Sequence, residues 1–188
     1  RSGRARDHVD GHGCRRTRIS LPALTMPRIW ISIGSNIDAE ANIHGALKVL
    51  KRAFGDAVLS PVYETTAVGF EGPPFLNLVA GFVTDEPPEN VMRVLNETEA
   101  EFGRIRGEGK FDSRTIDLDL LTYGAETLTV NGKHLPRDEI LKYAFVLRPL
   151  ADAAPEDRHP ADGRTYGDLW AAFGGDRSGM SLIAYRFD

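Results

Sequence analysis

The chain predicts an α+β domain: a largely antiparallel sheet of ferredoxin-like type with helices packed on one face. Two observations carry the prediction. Segments with the two-residue hydrophobic period of a strand alternate with segments of helical period, in the order strand-helix-strand-loop-strand-helix-strand. A length of 188 residues with 41% hydrophobic content suits one globular core.

The elements follow in order. Residues 28 to 33 (RIWISI) form a first strand rich in β-branched and aromatic residues, ending in a turn at Gly34-Ser35-Asn36. A helix is expected over 39 to 54, with Ile43, Leu47, Leu50 and Phe54 on one stripe and His44 at the surface. Residues 57 to 63 read as a second strand, 64 to 74 as a loop, and 75 to 84 (FLNLVAGFVT) as a third strand. Asn77 lies among apolar neighbours there, and a buried amide must be satisfied, either structurally or by a ligand. Pro87 and Pro88 open a second helix to about Phe102, with Val91, Val94, Leu95, Thr98 and Phe102 turned inward.

Beyond a glycine-rich basic segment and an acidic strand, residues 127 to 135 hold a hairpin turned at Asn131-Gly132. A short helical piece is expected within 136 to 143, an apolar strand at 144 to 147, and a helical turn at 149 to 154. Thr165 is placed to cap a last helix from Tyr166 to Phe173, stopped at Gly174-Gly175. Residues 181 to 188 stay ambiguous, though Ile183, Tyr185 and Phe187 alternate as in a strand.

The acidic strand is Arg114-Thr115-Ile116-Asp117-Leu118-Asp119-Leu120-Leu121. Ile116, Leu118 and Leu120 alternate with polar residues, so Asp117 and Asp119 point the same way, about 7 Å apart between Cα atoms. Both carboxylates can hold the same divalent cation or a pair of them. The plainer reading is an amphipathic strand with its polar face in water. Just upstream, residues 103 to 114 (GRIRGEGKFDSR) combine glycines with Arg104, Arg106, Lys110 and Arg114. Hard oxygens for a metal beside guanidinium forks for phosphoryl oxygens suit a polyphosphate bound through Mg²⁺.

Charge and motifs exclude other classes. The formal net charge is −4, but residues 1 to 27 carry six arginines against two aspartates, a surplus of +4, which leaves −8 for residues 28 to 188. An acidic body disfavours nucleic acid, and with it a metal-dependent nucleic-acid enzyme. Cys14 is the single cysteine, so there is no intrachain disulfide and no cysteine zinc site, in keeping with a reducing, cytoplasmic setting. No apolar run is long enough to span a membrane. Residues 1 to 27 read as a disordered arginine-rich extension, with translation expected to start at Met26, and 28 to 188 as one catalytic domain. Gly109-Lys110 precedes Phe111 and a strand, so no Walker A loop is present, and neither is a Rossmann glycine signature. His134 and His159 fall in unrelated loops and are expected at the surface.

Taken together, five motifs resemble the 6-hydroxymethyl-7,8-dihydropterin pyrophosphokinase family of folate biosynthesis. They are Gly34-Ser35-Asn36, Phe75-Leu76-Asn77, Gly103-Arg104-Ile105-Arg106, the acidic strand, and Ala144-Phe145-Val146-Leu147-Arg148-Pro149-Leu150. The resemblance spans about residues 28 to 173. It implies a ferredoxin-like α+β sandwich, and transfer of the β,γ-pyrophosphoryl group of ATP to 6-hydroxymethyl-7,8-dihydropterin with release of AMP. Such chemistry is mostly positioning and electrostatic stabilisation, and no dedicated base is required.

By the same resemblance, Asp117 and Asp119 would bind two Mg²⁺, and Arg104 and Arg114 would act on the transferring group, with Arg106 and Lys110 as weaker members of that set. Asn96, Glu99, Leu120 and Arg137 fall at nucleotide-side positions. Phe75 and Phe145 match a pterin-stacking pair, Asn77 its amide contact, Thr65 to Val68 the loop that reads the ring edge, and Phe111 a closing aromatic. Judged without the resemblance, Phe75 and Phe145 would be core residues.

This chain departs from the family pattern with Thr66-Ala67 where Pro-Pro is common, Asp112-Ser113 where Gly-Pro is usual, Arg137-Asp138 where a His follows Pro136, and Tyr143 at a position often basic. A monomer with no nucleic-acid or membrane partner is expected. The alternative is a non-catalytic nucleotide- or pterin-binding module of the same fold, separable from the enzyme by turnover.

Overall fold

The computed structural model describes residues 26–66, 72–103 and 115–187. Eight strands and five helices are found among them: β1 (Arg28–Ser35), α1 (Ala39–Phe54), β2 (Val58–Leu59), β3 (Val62–Thr65), β4 (Phe75–Val83), α2 (Pro88–Glu101), β5 (Asp117–Tyr123), β6 (Leu128–Val130), β7 (Lys133–Leu135), α3 (Glu139–Lys142), α4 (Ala144–Ala153), α5 (Tyr166–Ala171) and β8 (Met180–Ile183). The main sheet runs β5-β1-β4-β3-β8 with β2 also on β4, every pairing antiparallel, and β6-β7 forms a separate hairpin.

Alternation along β1 and β4 gives the sheet two buried faces. Ile29, Ile31, Ile33, Leu78 and Phe82 join Ile43, Leu47 and Leu50 of α1 and Val91 and Leu95 of α2. At about 1.5–3 kcal/mol per buried aliphatic or aromatic side chain, this is the main core. Trp30 and Val79 point the other way and join Ile140, Val146, Leu147, Leu150, Tyr166 and Leu169 of α3 to α5. Helices therefore cover both faces, which corrects the expectation of one: α3 to α5 come from the last third of the chain, where the stripes are short.

Residues 144 to 147 are helix, not strand. Four apolar residues in a row carry no period, and α4 buries Val146, Leu147, Leu150 and Ala151, the i, i+1, i+4, i+5 stripe of a helix. Pro149 sits inside it and forfeits one helical hydrogen bond. A side-chain network ties α4 to its neighbours. The Tyr63 hydroxyl donates to Asp152, Arg148 Nε donates to Tyr63 Oη and to Asp152 Oδ2 at 3.0 Å each, and the Arg148 guanidinium lies 5.2 Å from the Trp170 ring centre.

Smaller expectations shift as well. The second strand divides into β2 and β3 at Ser60-Pro61, where Ser60 Oγ accepts the Val79 N–H and Pro61 has no donor to offer. β1 runs on through Gly34 and Ser35 rather than turning there. The Asn131-Gly132 hairpin and the Thr165 cap on α5 are found as expected, with Thr165 Oγ1 accepting from Asp168 N at 3.1 Å. Residues 180–183 pair with β3 as the sheet's edge. His44 is half-buried, its ring edge-on to Tyr185 at 5.4 Å. His159 is only 4% exposed, against the expectation of a surface position, because the loop after α4 folds back through the Arg158–Thr165 bridge.

Residues 1–25, including most of the arginine-rich stretch, lie outside the described residues. Among the described residues no helix is long and apolar enough to cross a membrane.

Candidate active site

The site is built on one row of residues running across four strands. Gly34 on β1 is paired with Asp117 on β5 at one side and with Asn77 on β4 at the other, and Asn77 in turn with Tyr63 on β3. Cross-strand partners share a face, so Asp117, Asn77 and Tyr63 all project on the side of Trp30 and Val79. One row over, Asp119 pairs with Ser32, and the next partner is Val79. Asp117, Asp119 and Ser32 are partly exposed, while Asn77 is 6% exposed. Helices α3 to α5 bury Trp30 and Val79 on this face, and the β5 end keeps exposure.

A register shift in the β1–β5 pairing sets this orientation. Trp30 faces Thr122 and Ile31 faces Leu120, so Leu121 is the extra residue of a bulge. Below the bulge Leu118 and Leu120 fall in the α1/α2 core and the two aspartates on the opposite face, while Leu121 packs with Trp30. β5 is an edge strand, and its outer groups are satisfied from elsewhere. Glu99 on α2, 4% exposed, accepts the Leu118 N–H at 2.9 Å, and Arg137 N donates to Leu121 O at 2.8 Å.

Among the described residues, two cations meet Asp119. Lys133 Nζ is 3.0 Å from its Oδ1 and Arg137 Nη2 is 3.9 Å from the same atom. Arg137 also holds Glu139 at 3.0 Å and is the more enclosed of the two, at 18% side-chain exposure against 43% for Lys133. Pairs this exposed contribute at most about 1 kcal/mol each, so they orient more than they stabilise.

An apolar and amide wall flanks the carboxylates. Asn77 Nδ2 donates to Thr65 Oγ1 at 2.8 Å, and Thr65 is paired with Phe75 across β3–β4. A side chain on Gly34 would meet Asn77 Oδ1 at 3.0 Å, with Asp117 Cβ and Phe75 Cδ1 both at 3.9 Å, so this glycine is the floor on which the acid, the amide and the aromatic ring converge. Phe145 opens α4, with its ring stacked on Tyr143 at 5.1 Å and 17°.

The structure thus brings together Asp117, Asp119, Asn77, Thr65, Phe75 and Arg137. Leu120 and Glu99 are turned into the α1/α2 side, and Asn96 lies on α2, partly exposed. Val68, Arg104, Arg106, Lys110, Phe111 and Arg114 lie outside the described residues. Sequence reasoning missed Lys133. Its only signal was its place directly after the Asn131-Gly132 turn, and a lone lysine at a hairpin is ordinarily solvated.

Chemically, two hard carboxylate oxygens on one face of one strand suit Mg²⁺ and leave coordination positions for phosphate oxygens and water. Among the described residues no group of three or more His, Cys, Asp or Glu side chains gathers.

Comparison with known proteins bears on the family. Residues 30–155 match the family model described as 7,8-dihydro-6-hydroxymethylpterin-pyrophosphokinase (HPPK). The chain is 35% identical over 149 residues to the 2-amino-4-hydroxy-6-hydroxymethyldihydropteridine pyrophosphokinase of Pseudomonas aeruginosa, covering 77% of this chain and 91% of that protein. It is 32% identical over 136 residues to the folate synthesis bifunctional protein of Arabidopsis thaliana, spanning 71% of this chain and 28% of that longer protein. A solved Plasmodium falciparum HPPK-DHPS structure superposes with a TM-score of 0.63 at 13% identity, over 77% of this chain and 44% of that one, a likeness of fold.

Proposed function

The chain belongs to the 7,8-dihydro-6-hydroxymethylpterin-pyrophosphokinase family, and from that premise we propose that it moves the β,γ-pyrophosphoryl group of ATP to the hydroxymethyl oxygen of 6-hydroxymethyl-7,8-dihydropterin and releases AMP. It is a pyrophosphokinase of folate biosynthesis. The observation that supports the finer reading is the row Asp117–Gly34–Asn77, which sets a carboxylate and an amide on one face with a single glycine between them.

In this reading Asp117 and Asp119 hold Mg²⁺, with two ions expected. Mg²⁺ held there would supply charge neutralisation on the triphosphate. The protein's own part is placement. Asn77, pinned by Thr65, reads the pterin edge, and Phe75 and Phe145 offer apolar faces to a flat ring. Arg104 and Arg114 are assigned to the transferring group, Arg106 and Lys110 to its support, and Val68 and Phe111 to the pterin side, all by family resemblance. Arg137, 3.9 Å from Asp119, is assigned to the nucleotide phosphates in the position where the family carries His. Asn96, Glu99 and Leu120 are assigned to the nucleotide side by resemblance, with Glu99 acting through the strand it supports.

The order β5-β1-β4-β3 with α1 and α2 on one face supports a ferredoxin-like unit, to which α3 to α5 are added. Residues 28 to 188 are taken as one catalytic domain, and residues 1 to 27 as an extension. A cytoplasmic setting is in keeping with the single cysteine, and the chain is taken as a monomer.

The test is product identity. With ATP, Mg²⁺ and the reduced pterin, chromatography should show AMP appearing in step with pterin diphosphate. ADP as the nucleotide product, or binding without turnover, would overturn the reading, the latter in favour of a binding module.

A further inference from the structure

We propose that Lys133 is an exchangeable counter-ion of the metal site. It holds Asp119 while the site is free of nucleotide and moves onto the triphosphate oxygens when nucleotide and cation arrive. The inference rests on the pyrophosphokinase reading above and concerns a residue outside the family motifs.

Two observations carry it. First, Lys133 Nζ is 3.0 Å from Asp119 Oδ1, on one of the two carboxylates that suit the cation. A divalent cation on that carboxylate and an ammonium at this distance repel, so an arriving cation weakens the ammonium's hold on Asp119 and favours its withdrawal.

Second, of the two bases beside Asp119 among the described residues, Lys133 is the one built to move. Arg137 is fixed by its backbone N–H on Leu121 O at 2.8 Å, by Glu139 at 3.0 Å, and by low exposure. Lys133 stands at the start of β7, directly after the Asn131-Gly132 turn, with 43% of its side chain exposed and Asp119 as its ion-pair partner. A flexible four-carbon stem and a weak exposed pair make the exchange inexpensive.

A consequence of the pyrophosphokinase reading completes the proposal. A triphosphate joined to Asp117 and Asp119 through a shared cation would bring anionic oxygens toward Asp119, where an ammonium displaced from that carboxylate would meet them. Lys133 is thereby a competitor of bare metal and an ally of metal-nucleotide, which biases the site toward loading both together.

The experiment compares wild-type full chain with Lys133→Met and Lys133→Arg by titration calorimetry. In the absence of nucleotide, Lys133→Met should bind Mn²⁺ about threefold to tenfold more tightly than wild type, because the competing charge is gone. With Mg²⁺ present, the same variant should bind ATP about threefold to tenfold more weakly, while Lys133→Arg stays near wild type in both. Opposite signs in one variant are the signature, since a merely damaged hairpin would weaken both. Placing Asp119→Asn in the Lys133→Met background should abolish the gain in Mn²⁺ affinity. Unchanged or weakened Mn²⁺ binding by Lys133→Met, or unchanged ATP binding, overturns the exchange. Failure of wild type to make AMP would instead sink the pyrophosphokinase reading and leave the Mn²⁺ comparison to stand by itself.

Discussion

Asn77 Oδ1 sits 3.0 Å from the point where a Cβ on Gly34 would stand, and its amide nitrogen is tied 2.8 Å away to Thr65. The pair is thus held from both ends. Gly34 is needed for closeness, and Asn77 has little room to yield.

Gly34→Ala should therefore displace the Asn77 amide by a few tenths of an ångström against its bond to Thr65. Overpacking of this kind costs about 1–3 kcal/mol. The expected result is a KM for the pterin raised roughly tenfold, with ATP affinity little changed. Steady-state kinetics in each substrate will show it, and an equal effect on both would place the damage in the whole sheet.

Asp117→Ala and Asp119→Ala should each lower turnover by about a hundredfold or more, since losing a metal-binding carboxylate removes several kcal/mol of charge stabilisation. Stability should fall little, because both side chains are partly exposed. A near-normal rate in either variant contradicts the metal assignment.

Arg114→Ala should reduce kcat more than it weakens ATP binding, as expected of a group that meets charge developing in the transition state. Rapid-quench turnover set beside equilibrium ATP binding separates the two. Parallel losses would make Arg114 a ground-state contact.

Glu99→Ala should destabilise the fold by about 1–3 kcal/mol, because it leaves the Leu118 N–H on an edge strand without its buried acceptor. In a chain of this size that is a Tm lower by roughly 2–10 °C. Glu99→Gln keeps an acceptor oxygen and should lose less. Equal losses in the two variants would show that the carboxylate's charge, not its acceptor, holds β5.

Acid should weaken the fold through His159. Burial holds its imidazole below the ordinary 6.5, with Asp162 raising it and Arg164 lowering it further. Its Nδ1 accepts from Asp162 N at 3.1 Å and more weakly from Ala161 N at 3.3 Å, which needs the unprotonated nitrogen. A depressed folded-state pKa means that the contribution is fully present above the unfolded pKa near 6.5 and is lost as pH falls through the folded value. Urea midpoints measured from pH 8 to 5 should decline over that range, and His159→Gln should remove part of the slope. Identical slopes would acquit this residue.

How legible the site was depended on how local its determinants are. The two-residue spacing of Asp117 and Asp119 forces them onto one face whatever the rest of the chain does, and the Asn131-Gly132 turn and Thr165 cap are equally local. The run 144 to 147 was misread because four apolar residues have no period, and only burial of Leu150 and Ala151 on the same stripe makes it a helix. Lys133 was invisible because its importance lies in a 3.0 Å contact with a residue fourteen positions away.

By itself, the sequence determined an α+β chain, the paired acids on one strand, and the motif set of a pterin pyrophosphokinase. All of these follow from side-chain period, turn chemistry and residue type within short windows. Tertiary structure alone decided that helices cover both faces, that a bulge at Leu121 sets which face the acids share with Trp30, and that Gly34 joins acid to amide. Those facts depend on strand register and on contacts between distant segments, and register is fixed only when all the strands pack at once.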